Sequence, residues 1–296
     1  MTTTTRLESF DLSGPKEVMF ECVECKSALS RSKLPGLDYA LNPYVGCAHD
    51  CAYCYAPYVL GIDRSAWGSR VRVKSNLPRL LAKELIRSKG MIGVGTVTDP
   101  YQPLERETSL TRTCLGLMVA KRARFSILTK SDLVVRDIDL IKRSFGSEVG
   151  VTITTLDDEA AASIERNAPS PSRRLDTVRR LVSEGINAYV LVGPVLPNVT
   201  DRDLDSFMGA IADTGAKRIM TDRLRLRPGM LAPLGDIVDS IRSSSRGFAD
   251  LVGSPGLLDG MVRDVERTAK EHGLRVESAF QAERQGSSRI QRLGTR

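Results

Sequence analysis

The chain has 296 residues, of which 41% are hydrophobic and 27% charged, with a formal net charge of +7. No run approaches the roughly 18 consecutive apolar residues of a membrane span, and the Thr-rich start has neither the apolar core nor the cleavage site of an export signal, so a soluble, cytoplasmic protein is expected. Its six cysteines are then reduced, which favours metal binding or catalysis over structural disulfides.

Residues 1–37 read as an N-terminal extension carrying a CxxC pair, Cys22 and Cys25, which alone offers too few ligands for a metal. A first strand is predicted over 39–45 and runs into a cysteine-rich loop. Strands follow over 92–98, 125–129, 149–155, 188–195, 218–226 and 275–278, each a short run rich in β-branched residues. Between them, 78–88, 110–123, 137–144, 158–166, 172–184 and 203–214 carry apolar residues at helical spacing, and two further helices are predicted over 234–242 and 257–272. This alternation, with no Pro/Gly-rich linker, predicts parallel strands with helical crossovers in one barrel-like domain over 38–280. Residues 281–296 are polar, carry Arg289, Arg292 and Arg296, and read as a flexible basic tail.

The informative stretch is the loop after the first strand, where Cys47, Cys51 and Cys54 stand at spacings of four and three. Iron–sulfur clusters are held by thiolates, usually four, so a loop offering three leaves one iron without a protein ligand and open to chemistry. The competing reading is a structural zinc site, completed by His49 or by Cys22 or Cys25, which would make the chain a zinc-stapled binding module. Position favours the cluster, because the loop leaves the C-terminal end of a strand, the rim where such barrels build active sites.

Several stretches together resemble radical S-adenosylmethionine (SAM) proteins related to spore photoproduct lyase, the photolyase-like branch of that family. They are Asn42-Pro43-Tyr44 before the cysteines, Thr98-Asp99-Pro100-Tyr101-Gln102-Pro103-Leu104-Glu105, Leu128-Thr129-Lys130, and Asn167-Ala168-Pro169-Ser170-Pro171. The resemblance implies a partial (β/α)6 TIM-type barrel and a 4Fe-4S cluster on Cys47, Cys51 and Cys54. It also implies SAM chelated to the open iron and cleaved, on one-electron reduction by a flavodoxin or ferredoxin, to a 5′-deoxyadenosyl radical that abstracts hydrogen from a substrate.

Carried over by position, Tyr53 matches the aromatic whose backbone meets the adenine, and Tyr55 a second SAM-side position. Thr98 matches a hydroxyl that hydrogen-bonds SAM, and Lys130 the lysine that meets its carboxylate. Thr152 or Thr154, which alternation puts on one face of a strand, would add a polar contact. Asp99 and Glu105 are the acids nearest the rim, available to orient a ribose hydroxyl or a substrate amine, although an Asp before Pro is also a common loop opener. One position departs from the lyases: Thr96 stands where they carry the cysteine that returns a hydrogen atom. Cys114 or a tyrosine would have to replace it, and Cys114 falls within a predicted helix, where a buried inert thiol is the common meaning.

The family suggests a nucleic-acid substrate, and the basic stretches 70–74, 121–124 and 223–227 are compatible with one. Their duller meaning is pairing with the 36 acidic residues, and only 5% aromatic residues leave few stacking platforms. A lyase- or transferase-type reaction on a protein side chain or a small metabolite is the alternative.

Overall fold

The computed structural model describes residues 4–6, 18–241 and 246–279. The predicted tail over 281–296 lies outside the described residues. Twelve strands form: β1 Thr4–Arg6, β2 Met19–Val23, β3 Leu29–Arg31, β4 Tyr39–Leu41, β5 Tyr44–Val45, β6 Arg70–Lys74, β7 Met91–Val94, β8 Arg124–Thr129, β9 Glu148–Thr152, β10 Ala188–Val195, β11 Arg218–Arg223 and β12 Arg275–Ser278. The larger sheet runs β3-β4-β7-β8-β9-β10-β11-β12. From β4 to β12 every pairing is parallel, and β3 is added antiparallel at the edge. β3 and β12 end the sheet without pairing to each other, so the barrel is partial and open on one side.

Alternation along the strands separates two environments. Phe125 and Ile127 of β8, Val149 and Val151 of β9, Val190 and Val192 of β10 and Ile219 of β11 are fully buried in the apolar core. At roughly 1.5–3 kcal/mol for each large apolar side chain, this layer supplies the main favourable term of the fold. The intervening residues, among them Ser126, Glu148, Tyr189 and Arg218, line the lumen instead. Crossover helices Leu110–Ala120, Pro171–Ser183, Leu204–Ala212 and Leu257–Glu271 cover the outside. Pro171 and the Ser170 cap, whose hydroxyl accepts from the Arg173 amide, start the second of these.

The strand predicted over 39–45 is two strands in different sheets. Pro43 has no amide to donate, so the ladder of β4 stops at Leu41 and the chain swings away as β5 to pair antiparallel with β6. β6 and β2, parallel to each other, make a small second sheet with β1 and β5. The strand predicted over 92–98 stops at Val94, because Gly95 turns to a φ of +90°. The helix predicted over 137–144 is a single α-turn, Ile138–Ile141, behind a 3-10 segment, Asp132–Asp137. No helix among the described residues is long and apolar enough to cross a membrane.

Tyr189 lies over its register partner Gly150 on the adjacent strand, where a Cβ would lie 2.3 Å from its ring. Gly150→Ala is expected to destabilise the fold by about 1–3 kcal/mol through overpacking. Gly116→Ala, in an exterior helix where a Cβ would meet nothing within 4 Å, should stabilise by about 0.5–1 kcal/mol. Urea denaturation of the two variants reads both signs.

Candidate active site

Beyond β5 the chain has left the large sheet, so the cysteine loop must find hydrogen-bond partners elsewhere. It turns at Gly46, with a φ of +96° and no room for a Cβ, which would lie 2.4 Å from the Arg70 carbonyl oxygen. The Gly46 carbonyl accepts from Thr98 Oγ1 at 2.6 Å and from Gln102 Nε2 at 3.3 Å, and the Ala48 amide donates to Gln102 Oε1 at 2.8 Å. The other side of the loop docks on residues 164–167. Ala52 donates its amide to the Ile164 carbonyl at 2.8 Å, and the Asn167 side chain donates to the Ala48 carbonyl at 2.8 Å. Asp50, held in the left-handed region at a φ of +48°, is clamped by Arg64 at 2.7 Å and Arg166 at 3.1 Å.

So held, Cys47, Cys51 and Cys54 line one cavity of about 130 Å³ together with Tyr55, Thr98, Lys130 and Thr152. No three His, Cys, Asp or Glu side chains among the described residues close on one point as single-ion ligands. Thiols spread around a shared cavity suit a cubane, in which each thiolate binds a different iron, better than a tetrahedral zinc. Burial pushes all three thiols up: Cys47 well above its ordinary value, further raised by Asp99, and Cys51 to about 12. Binding iron must therefore displace a proton from each. His49 is buried inside the loop. Its Nδ1 lies 3.3 Å from Asp99 Oδ2. Burial works against the Asp99 carboxylate, but His49 and the hydrogen bonds from Lys130 N and Thr129 Oγ1 outweigh it and bring the carboxyl down to about 2. Asp99 is thus a charged anchor that fixes the strand end bearing Lys130.

Two of the candidate residues sit behind this cavity. Tyr53 is buried and donates its hydroxyl to Glu165, which also accepts from Thr154 Oγ1 at 3.3 Å. Glu165 is ion-paired to Arg174 at 2.5 Å, and the Lys130 ammonium lies 5.5 Å from the Tyr53 ring centroid. Because β9 ends at Thr152, alternation no longer governs Thr154, and the two threonines part company. Burial opposes the charge on Lys130, yet Cys51 and Glu165 keep its pKa above the ordinary lysine value. Thr98, beyond the end of β7, spends its hydrogen on the Gly46 carbonyl and shapes the cysteine loop.

A second cavity, of about 370 Å³, occupies the lumen and meets the first at Tyr55, Gly95, Thr96 and Leu128, which line both. Its far end is charged. Arg218 contacts Glu148 at 2.5 Å and Glu277 at 2.7 Å, and its guanidinium lies 4.4 Å from the Tyr189 ring centroid. Leu37 closes over Gly93, whose Cβ would lie 2.5 Å from it. Thr96 is engaged with Asn42, accepting from its amide at 3.0 Å. Cys114 is fully buried in helix Leu110–Ala120 and lines neither cavity, so it does not stand in for the missing lyase cysteine, whereas Tyr55 borders both. Glu105 is also remote from the rim. It is fully buried with Tyr44 Oη at 2.5 Å and Arg136 at 2.6 Å, which removes it as a substrate ligand. Cys25 donates to Asn76 at 3.2 Å, and Cys22 is exposed.

Sequence reasoning passed over Gln102, Glu165 and Arg174. Gln102 lay inside a stretch singled out above, but Glu165 and Arg174 flank theirs, and only the docking of residues 164–167 on the loop shows why they matter.

An open parallel α/β barrel with three thiols on one rim loop, around a cavity adjacent to the lumen, defines an enzyme of cluster-dependent chemistry. The Radical SAM superfamily model matches residues 41–211, and the chain belongs to that family. Membership brings a 4Fe-4S cluster and SAM as cofactors and sets aside the zinc-module reading. An uncharacterized protein of Methanocaldococcus jannaschii is 40% identical over 180 residues, which are 60% of this chain and 68% of that protein. One of Mycobacterium tuberculosis is 34% identical over 226 residues, 71% of this chain and 66% of the relative. The chain thus spans about two thirds of the length of each. In architecture it is similar to spore photoproduct lyase, with a TM-score of 0.63 at 17% identity over 87% of this chain and 81% of the other. It is also similar to Streptococcus suis SuiB, in a structure bound to S-adenosylmethionine, with a TM-score of 0.53 at 12% identity over 81% and 49%.

Raised thiol pKa values leave few thiolates at neutral pH, and thiolate is the form that reacts. In the iron-free protein at pH 8, iodoacetamide should label exposed Cys22 well before Cys47 and Cys51. Peptide mass spectrometry over a time course checks the order, and reconstitution with iron and sulfide should abolish labelling of Cys47, Cys51 and Cys54.

Proposed function

We propose that this radical SAM enzyme cleaves SAM reductively and abstracts hydrogen from a nucleic-acid substrate whose reacting part enters the lumen. When bound, the cluster supplies the electron that breaks a C–S bond of SAM and so gives the 5′-deoxyadenosyl radical. The observation that carries the reading is that the two cavities are adjacent, sharing Tyr55, Gly95, Thr96 and Leu128 in their linings. A cofactor over the cysteines and a substrate in the lumen would share that border, as hydrogen transfer requires.

The chain's own residues divide the work. Cys47, Cys51 and Cys54 hold the cluster. Lys130, whose charge Glu165 supports against burial, attracts the SAM carboxylate, while Thr152 and Tyr55 line the same cavity. Tyr53 supports Lys130 through its ring face, and Thr98 fixes the loop on which the cysteines stand. A one-electron donor of the flavodoxin or ferredoxin class completes the reaction.

The basic stretches differ in their usefulness to this reading. Residues 121–124 precede or open β8, at the end of the barrel opposite the cysteines, and are ill placed for a substrate at the mouth. Residues 223–227 follow the C-terminal end of β11 and lie at the mouth, with Arg223, Arg225 and Arg227 exposed. A spore photoproduct lyase structure holds a dinucleoside spore photoproduct, which supports a nucleic-acid-like substrate here by analogy of fold. One observation favours a small metabolite or protein side chain instead. Arg223 is paired with Asp259 at 2.7 Å and Arg225 with Asp222 at 2.5 Å, so both guanidinium groups already have partners.

Anaerobic protein reconstituted with iron and sulfide, then given SAM and dithionite, should release 5′-deoxyadenosine, and Cys51→Ala should release none. A fully loaded sample that makes no 5′-deoxyadenosine would refute the cleavage. Filter binding of tRNA, single-stranded DNA and duplex DNA across salt separates the substrates. Affinity falling steeply with salt supports nucleic acid, and a flat response supports the small-molecule reading.

A further inference from the structure

The Glu165–Arg174 pair lies behind the cysteine cavity without lining it. Both side chains are buried, at 0% and 1% exposure, with Arg174 Nη1 at 2.5 Å from Glu165 Oε2. Arg174 is anchored further by the Pro169 carbonyl at 2.7 Å and the Thr152 carbonyl at 3.2 Å. The other carboxylate oxygen accepts from Tyr53 and Thr154.

A third party completes the arrangement. Lys130 feels the charge of Glu165 without being ion-paired to it; its ammonium sits over the Tyr53 ring and borders the cysteine cavity. A buried carboxylate deprived of its partner is costly and draws in whatever cation can reach it. Lysine, with a flexible four-carbon stem, is the side chain able to move.

We propose that Arg174 is a positioning residue: by ion-pairing with Glu165 it prevents Lys130 from pairing with that carboxylate and leaves the ammonium facing the cavity that takes SAM. The inference rests on the reading of Lys130 as a SAM contact. It assigns the guanidinium, which touches neither cofactor nor substrate, control over cofactor affinity through a competition between two cations for one anion. A pair that merely props up the cysteine loop would behave differently, because its replacement would harm cluster loading and SAM binding together.

The test is calorimetric titration of SAM into anaerobically reconstituted protein with the cluster oxidised, so that no cleavage occurs, together with iron content and the EPR signal of the dithionite-reduced cluster. Lys130→Met should weaken SAM binding roughly tenfold, as loss of one charge-assisted contact does. Arg174→Met should weaken it by a similar factor with cluster loading unchanged, and adding Lys130→Met should cost nothing more. The neutral pair, Arg174→Met with Glu165→Gln, leaves no unpaired charge and should bind SAM within about threefold of the parent. It decides the matter even where Arg174→Met alone fails to fold. A neutral pair that loads iron fully yet binds SAM tenfold more weakly overturns the inference, as does an additive loss in the Arg174→Met, Lys130→Met double variant. If Lys130→Met leaves SAM affinity unchanged, the reading of Lys130 fails and takes the inference with it.

Discussion

A buried loop outside any sheet must give its backbone polar groups to other parts of the chain, and this requirement shapes the cysteine loop. Its carbonyls and amides are taken up by Thr98 and Gln102 on one side and by residues 164–167 on the other. Thr98 and Gln102 follow β7, whereas residues 164–167 end the helix Asp158–Ile164 that follows β9, and β8 lies between these two strands in the large sheet. The thiols therefore inherit their spacing from the sheet register rather than from the loop's own propensity. An unsatisfied buried amide or carbonyl costs about 1–3 kcal/mol, so a shift of either segment would be felt directly at the cluster position.

The barrel itself was legible because it rests on hydrophobic periodicity and turn residues, which are local properties. Strand starts from β8 onward agree with the sequence expectation to within a residue. Strand ends at the rim were less legible. Glycine and proline cut them short at Gly95 and after Asn42, and the candidate residues Thr98 and Thr154 lie just beyond regular structure. The three cysteines were evident from spacing alone. The ion-paired layer behind them was not, because nothing in the string of residues 165–174 states that Glu165 will face Tyr53, 112 positions earlier. Asp99 and Glu105 illustrate the same limit. Both are acids near one strand end, yet one anchors the loop beside the cysteines and the other is sealed beneath Tyr44 and Arg136.

The lumen carries a polarity the outer layer excludes. Alternate strand positions face the helices and the interior, and the interior takes Leu128, Leu191 and Met220 alongside the charged groups, so the enzyme can vary what lines the cavity without thinning its core. Glu148 and Arg218 open their strands, Glu277 lies within β12, and the cysteines stand beyond strand ends. The charged cluster and the thiols thus border different cavities, with Tyr55 lining both.

The reach of the loop's contacts in sequence has a consequence for any attempt to miniaturise the site. A peptide cut from residues 42–55 would keep the three cysteines and their spacing but lose Gln102, Asn167 and the Glu165 layer. Such a fragment can bind iron by collapsing its thiols onto it. Holding them apart, with one corner left for an incoming cofactor, is a property of more than a hundred residues of barrel, so the smallest working catalyst is the scaffold itself.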